Sequence, residues 1–417
     1  MDKNRRLAVA IALSSTFTLI IGLLSDLAAQ FLTPAVANRQ VLVWGALVAT
    51  FLVSLPVAIY LSLRESSSKD SIRAGAPPPA SYARFWGRDA LLDELMAVLR
   101  EPSVKPMIGI DGLGGIGKTA VARELVERSL SEHLFDTVIW EPRATGMIGA
   151  AETRLTWQAF ISAVGRQLGA PHIQRLSADE QMQYLAGLLK TARILIVLDN
   201  LETAATDQAE FAQRLAPLLL PSCKALLTSR RRFTGDVYAV HLAGLDEESS
   251  LQLTRHEARM KGIGRVIAAS TDELRKIASA TGGSPLAIKL IVGQLHHLPL
   301  EHVLKALETV RLDAVTPGEG DEYVDFYKSV FWRSWRVLSE EAQRLLISMA
   351  VFSPGLGGTL DMVTGVSGIN TNRVSRRIDE LWRASLVEVD NVSLQQTRYY
   401  LHPLTQYFVK SDIVKED

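Results

Sequence analysis

At 417 residues with 47% hydrophobic content, the chain is long enough for two or three packed domains once any membrane segment is set aside. Its 45 Lys and Arg balance 45 Asp and Glu, so no global field draws it toward nucleic acid. The single cysteine, Cys223, excludes an intramolecular disulfide and fits a reducing compartment, where a thiol at the head of an apolar run reads as structural.

Two uncharged apolar runs come first. Leu7 to Leu24 would span about 27 Å as a helix, close to the hydrocarbon thickness of a bilayer. Val41 to Leu63 is longer, with Trp44 and Tyr60 near its ends, where amphipathic rings suit the interface. Together they predict a transmembrane hairpin of two helices over residues 1–64. Lys3, Arg5 and Arg6 flank the first run, and Arg64, Lys69 and Arg73 follow the second, so the positive-inside tendency puts both flanks and everything after Leu63 in the cytoplasm. Reading the first run instead as a cleaved signal peptide leaves the second crossing and the same side for the rest. Residues 65–84 turn to Ser, Gly, Ala and Pro77-Pro78-Pro79, the composition of a linker with a stiff polyproline part.

Pro106 to Asp111 then reads as a short buried strand running into Gly112-Leu113-Gly114-Gly115-Ile116-Gly117-Lys118-Thr119, a gapless match to G-x-x-x-x-G-K-[ST]. Glycines let successive backbone N–H groups turn inward as an anion nest that side chains would obstruct. Lys118 supplies a mobile positive charge for the β- and γ-phosphates, and the Thr119 hydroxyl suits Mg²⁺. The following Ala120 to Val126 opens a helix, so the phosphates would also sit at its positive end. Arg193 to Asn200 is a second apolar run ending in a carboxylate, as a central parallel strand does, and Asp199 is the expected metal partner. Lys224 to Arg230 forms a further strand ending in hydroxyls and a guanidinium, and Arg230 is either a γ-phosphate contact or a solvated loop arginine.

These residues and their order resemble the STAND class of P-loop NTPases, in its NB-ARC-like, AAA-related branch, over roughly Phe85 to the C-terminus. Phe85-Trp86-Gly87-Arg88 is similar to the family's adenine-side loop, Phe135 to Trp140 to its second strand, and Leu198-Asp199-Asn200-Leu201-Glu202 stands at Walker B. Leu227-Thr228-Ser229-Arg230 resembles the sensor strand, Gly283-Ser284-Pro285 the GxP motif, and Leu401-His402-Pro403-Leu404 the winged-helix histidine motif.

The resemblance implies an α/β P-loop NTPase domain, a parallel sheet sandwiched by helices over 85–240. A helical lid over 241–315 and a winged-helix domain over 316–417 would follow. It implies that Gly112, Gly114, Gly115, Ile116, Gly117 and Ala120 surround the phosphates beside Lys118 and Thr119, that Arg88 and Pro285 serve the adenine side, and that His402 touches ADP. Thr119 and Asp199 would hold Mg²⁺. Two departures stand out. Asn200 takes the place of the second Walker B acid, and an amide is no base, so hydrolysis is expected to be slow or to use Glu202. Pro403 also stands where relatives carry an acid.

The function so implied is a membrane-tethered ATP/ADP switch that forms homo-oligomers when activated. Many relatives carry a C-terminal repeat array that senses the input, and this chain ends at Asp417 without one, so a separate sensor protein is expected to supply it. Two other readings stay open. One is a DNA-binding regulator using Arg373, Arg376 and Arg377 on a recognition helix, against which Asp379, Glu380 and Glu388 crowd that surface with negative charge. The other is a constitutive membrane-associated ATPase.

Overall fold

The computed structural model describes residues 82, 84–101, 105–141, 156–190, 192–203, 207–219, 222–307, 320–352, 357–390 and 397–414. The expected hairpin over 1–64 and most of the linker lie outside the described residues. Among those that are described, no helix is long and apolar enough to cross a membrane.

Five strands, β1 (Met107–Asp111), β2 (Thr137–Glu141), β3 (Ile194–Leu198), β4 (Cys223–Ser229) and β5 (Tyr238–His241), form one sheet in the order β2-β3-β4-β1-β5. All four pairings are parallel. Parallel strands joined by helical crossovers must bury both faces, which is why β3 reads Ile-Leu-Ile-Val-Leu without a polar break. Alternation assigns the faces. Leu195 and Val197 join the core beneath α1 (Asp89–Arg100) and α2 (Lys118–Ser131). Ile194, Ile196 and Leu198 join the core beneath α3 (Trp157–Gln167), α4 (Ala178–Leu189) and α5 (Gln208–Leu215).

The run expected as a strand to Asn200 ends at Leu198 because Asn200 takes a left-handed φ of 57°, a conformation Asn tolerates better than most side chains. That turn leaves Asp199 at the carboxyl edge of the sheet, its N–H still bonded to Glu141 O at 2.7 Å. In the register, β4 lies between β1 and β3, with Leu226 opposite both Ile108 and Val197. Residues at the end of β4 therefore stand between the phosphate loop and Asp199.

Beyond β5 the chain is mostly helical: α6 (Glu247–Met260), α7 (Gly264–Ile267), α8 (Thr271–Ala280), α9 (Pro285–Gln294), α10 (Leu300–Leu307), α11 (Gly320–Arg336), α12 (Glu340–Met349), α13 (Leu360–Ser367), α14 (Thr371–Arg383) and α15 (Pro403–Phe408). Caps explain several starts. Asp246 accepts from Ser249 N, Ser270 and Glu273 form a capping box, and Ser339 accepts from Ala342 N as its position predicts. A small antiparallel sheet, β6 (Gly358–Thr359), β8 (Arg398–Tyr400) and β7 (Glu388–Asp390), packs with these helices.

The candidate recognition helix with Arg373, Arg376 and Arg377, α14, stops at Arg383; Ser385 then turns left-handed at φ 59° and donates its hydroxyl to Lys289 O on α9 at 2.6 Å. Around that contact Lys261 pairs with Glu257 at 3.1 Å, and Lys289 with Glu388 at 3.8 Å. One hydrophobic core draws its residues from Leu251 through Phe331 to Val409. Gln406, almost fully buried, closes the chain end on α12 by donating to Ala350 O and Phe352 O at 2.6 and 2.8 Å.

Candidate nucleotide site

The loop between β1 and α2 turns on glycine. Gly115 and Gly117 have φ of 70° and 104°, values that cost other residues strain. Above Gly117 nothing lies within 4 Å of where a Cβ would stand, so the loop's rim is open there. Lys118, at the first position of α2, is buried and donates to Gly112 O and Leu113 O at 3.0 Å each. Burial pushes its pKa down to about 8, opposed mainly by the Glu202 carboxylate. An ammonium that is buried and held by its own loop's carbonyls is poised for a phosphate, which would replace those contacts with a full negative charge.

Thr119, one residue on, donates to both Asp199 oxygens at 3.0 Å. Thr228, at the end of β4 and fully buried, donates to Asp199 Oδ1 and accepts from Asn200 N at 2.9 Å. Burial raises the pKa of Asp199, against the hydroxyls of Thr228 and Thr119 that favour its charged form. A hydroxyl and a buried carboxylate in contact are hard oxygen donors of the kind Mg²⁺ takes, and a cation would relieve the penalty on that carboxylate. The residues present therefore fit this metal.

Glu202 and Arg230 stand beside this cluster and hold each other. Arg230 Nε lies 3.1 Å from Glu202 Oε1, and Arg230 N donates to Oε2 at 3.1 Å. Of the alternatives for Arg230, the described arrangement is a surface-side ion pair, with its side chain 41% exposed and Glu202 only 11%.

Arg88, expected at the adenine side, is buried beneath the phosphate loop. One of its terminal nitrogens, Nη2, donates to Ile116 O and to Ala243 O, both at 2.9 Å, and burial pushes its pKa down to about 10. It braces the loop's floor against the segment after β5. Ile116 itself is buried in the core under α1 and α2, and its N–H reaches back to Leu113 O at 3.4 Å. Gly114 lies in the turn at the loop's crest, and Ala120 sits in the first turn of α2, with Tyr82 Oη 3.5 Å from its carbonyl.

From the helical part, Pro285 occupies the first turn of α9, and the residues on either side of it reach the loop. Ser284 Oγ and Leu286 N each lie 3.3 Å from Gly115 O. Ser284 Oγ is also 2.5 Å from the Tyr327 hydroxyl on α11. His402 caps α15, its Nδ1 accepting from Leu404 N at 3.2 Å. Burial pushes its pKa down to about 3, and Lys289, Arg230 and Lys118 push in the same direction. The ring is thus neutral, with its proton on Nε2, and lies in the field of the phosphate-loop lysine.

The structure therefore gathers Lys118, Thr119, Asp199, Glu202 and Arg230 at one sheet edge, brings the residues flanking Pro285 onto the phosphate loop, and sets His402 within the field of Lys118 and Arg230. Thr228, Ser284 and Tyr327 join them. Thr228 and Ser284 lie inside recognisable strings, whereas nothing local marks Tyr327.

Residues 88–263 match the NB-ARC domain family model. A probable disease resistance protein, RF45 of Arabidopsis thaliana, is 28% identical over 222 residues, covering 51% of this chain and 21% of that protein. An uncharacterized WD repeat-containing protein of a Nostoc strain is 26% identical over 264 residues, covering 55% of this chain and 19% of its own length. The match thus spans about a fifth of these curated relatives. Among solved structures, a STAND protein with a tetratricopeptide repeat sensor from Pyrococcus horikoshii shares the fold. That likeness has a TM-score of 0.53 at 18% identity and covers 84% of this chain and 45% of that one.

Proposed function

We propose that this chain, whose residues 88–263 match the NB-ARC domain family, is a P-loop NTPase of the NB-ARC-like STAND class that works as an ATP/ADP-binding signalling switch. The observation that carries the reading is the contact of Ser284 and Leu286, far along the chain, with Gly115 of the phosphate loop. His402 adds to it from the C-terminal part, where it lies in the field of Lys118 and Arg230.

In this reading residues 85–240 bind the nucleotide, 241–315 act as the lid and 316–417 form a winged-helix domain, with β7 and β8 as its wing. Lys118 moves from Gly112 O and Leu113 O onto the β- and γ-phosphates. Thr119 and Asp199 hold Mg²⁺, which supplies charge neutralisation on the phosphate oxygens when bound. Neutral His402 offers its Nε2 proton to ADP and keeps the lid and winged helix closed. ATP favours an open form that associates through its nucleotide domains, a change that requires only two arrangements with different nucleotide affinities.

Hydrolysis is slow. Asn200 provides no base, and its backbone is committed to Thr228. Glu202 takes the base's part, and while Arg230 holds it the carboxylate is not free to accept a proton from water. The two-helix hairpin at 1–64 tethers the switch to the membrane with its nucleotide domain cytoplasmic, and a separate protein supplies the input.

The DNA-binding reading is weaker, because Arg373 pairs with Glu341, and Arg377 with Glu341 and Glu380, so the candidate recognition helix spends these arginines internally. The deciding experiment is nucleotide content and particle size of the purified full chain. Retained ADP with a small particle that enlarges on ATP and Mg²⁺ supports the switch; an unchanged size in both nucleotides removes it.

A further inference from the structure

We propose that Ser284 and Tyr327 are positioning residues of the phosphate loop, pinning the Gly115–Ile116 peptide so that its N–H faces the bound phosphates. The inference rests on the nucleotide-binding reading and concerns how that site is set.

The Gly115 carbonyl receives two donors from one neighbouring turn, Ser284 Oγ and Leu286 N, each at 3.3 Å. A carbonyl has two lone pairs, so this pair of donors saturates it. The proton order follows from the inventory of each hydroxyl. Ser284 has one proton, and the Gly115 carbonyl can only accept, so Ser284 donates there. Tyr327 then donates to Ser284 Oγ across their 2.5 Å contact. Ser284 Oγ also accepts from Ala287 N as the cap of α9. A one-way relay results: Tyr327 to Ser284 to Gly115.

The relay is dry. Tyr327 is 1% exposed and Ser284 0%, so water does not replace a lost partner. It is also tight, since a Cβ on Gly115 would stand 2.7 Å from Leu286 Cδ2 and 3.1 Å from Tyr327 Oη.

A peptide unit is planar, and its C=O and N–H point in opposite directions. With Gly115 O fixed outward against α9 and α11, the N–H of Ile116 must turn inward, where it meets Leu113 O at a long 3.4 Å. That weak bond lies within the turn of the loop, the direction from which an anion nest draws its donors. The outer side of the same peptide is thus held by a helix 169 residues away in sequence and, through it, by Tyr327 another 43 residues on. The loop is preorganised only while α11 is docked.

The test titrates the purified full chain, Tyr327→Phe and Ser284→Ala with ADP and with inorganic pyrophosphate. The expected result is a loss of about 3- to 10-fold in affinity for both ligands in each variant, the range one net hydrogen bond supports. The double variant should be no worse than Ser284→Ala, because both act through one carbonyl. Amide exchange at Ile116 in the ligand-free chain should speed up in both variants, a readout that does not depend on binding. Unchanged affinity and exchange in the variants overturn the inference while leaving nucleotide binding intact. So does a loss for ADP with none for pyrophosphate, which would place the effect at the adenine side. Failure of the unaltered chain to bind ADP would instead overturn the nucleotide reading itself.

Discussion

The hydroxyl of Thr228 donates to the carboxylate of Asp199 while accepting from the backbone of Asn200, so one buried side chain on β4 sets both residues that follow β3. Neither contact survives replacement by an isostere without the oxygen. Thr228→Val should destabilise the chain by about 1–3 kcal/mol, because a buried N–H and a buried carboxylate each lose a partner. Thermal unfolding checks this. A midpoint unchanged from the parent would show that water or another donor takes over.

Glu202 pairs with the movable side chain of Arg230, whereas Asp199 is held by the hydroxyls of Thr119 and Thr228. Glu202→Gln should leave ADP affinity within about 2-fold and lower single-turnover hydrolysis by about 100-fold, the scale of one lost general base. Hydrolysis at the parental rate would take Glu202 out of the chemistry and leave its pairing with Arg230 as structure alone.

Lys118 predicts a pH dependence of binding. Its pKa in the ligand-free fold is pushed down to about 8, below that of an exposed lysine, and a phosphate would raise it again. Binding then favours the protonated form. Affinity for ADP should be level below pH 8 and fall above it by up to about tenfold per unit. For the ligand-free chain the sign is opposite: the unfolded lysine stays protonated to a higher pH than the folded one, so stability from this group rises between about pH 8 and the ordinary lysine value. Calorimetry in buffers of different ionisation enthalpy should report proton uptake on ADP binding near pH 8.

His402 stays neutral across the physiological range, since its pKa is pushed down to about 3. Its own titration should leave no mark on ADP affinity between pH 5 and 7. His402→Asn keeps a good N-cap for α15 yet removes the ring, so unfolding should move little while ADP is held about tenfold less tightly. Equal ADP retention in this variant would make the residue a cap and nothing more.

Gly293 marks where α9 touches the turn after α14. A Cβ there would stand 2.6 Å from both the carbonyl carbon and the oxygen of Ala384, backbone atoms that cannot step aside as a side chain does. Gly293→Ala should cost about 1–3 kcal/mol by forcing those elements apart, even though alanine is the better helix former. Denaturant midpoints measure it.

Much of the site was legible because its parts are short strings with local physics. The glycines, Lys118 and Thr119 must be adjacent for one loop to use them, and the apolar run before Asp199 announces a strand buried on both sides. The run read to Asn200 overshoots its strand, which ends at Leu198, because Asn200 takes a left-handed turn that composition does not display. What the sequence hides is long-range. That Arg88 supports the loop from below, that Arg230 closes on Glu202, and that Tyr327 reaches Gly115 through Ser284 depend on packing between segments dozens to hundreds of residues apart. None of these residues departs from an ordinary local pattern.

The core shared from Leu251 to Val409 has a mechanical consequence. Prising α6 to α9 from the C-terminal helices would open this shared core and separate Glu388 from Lys289 and Lys261 from Ser385, so the easy motion is not between those two parts. The easier motion is a swing of the whole block, levered about the short connection from His241 to Asp246. Among the described residues, Leu113, Gly115, the contacts of Arg88 and the packing of Trp86 on His256 restrain its travel. A nucleotide placed at that seam would act on a long arm, so a small displacement there would be magnified farther out in the block.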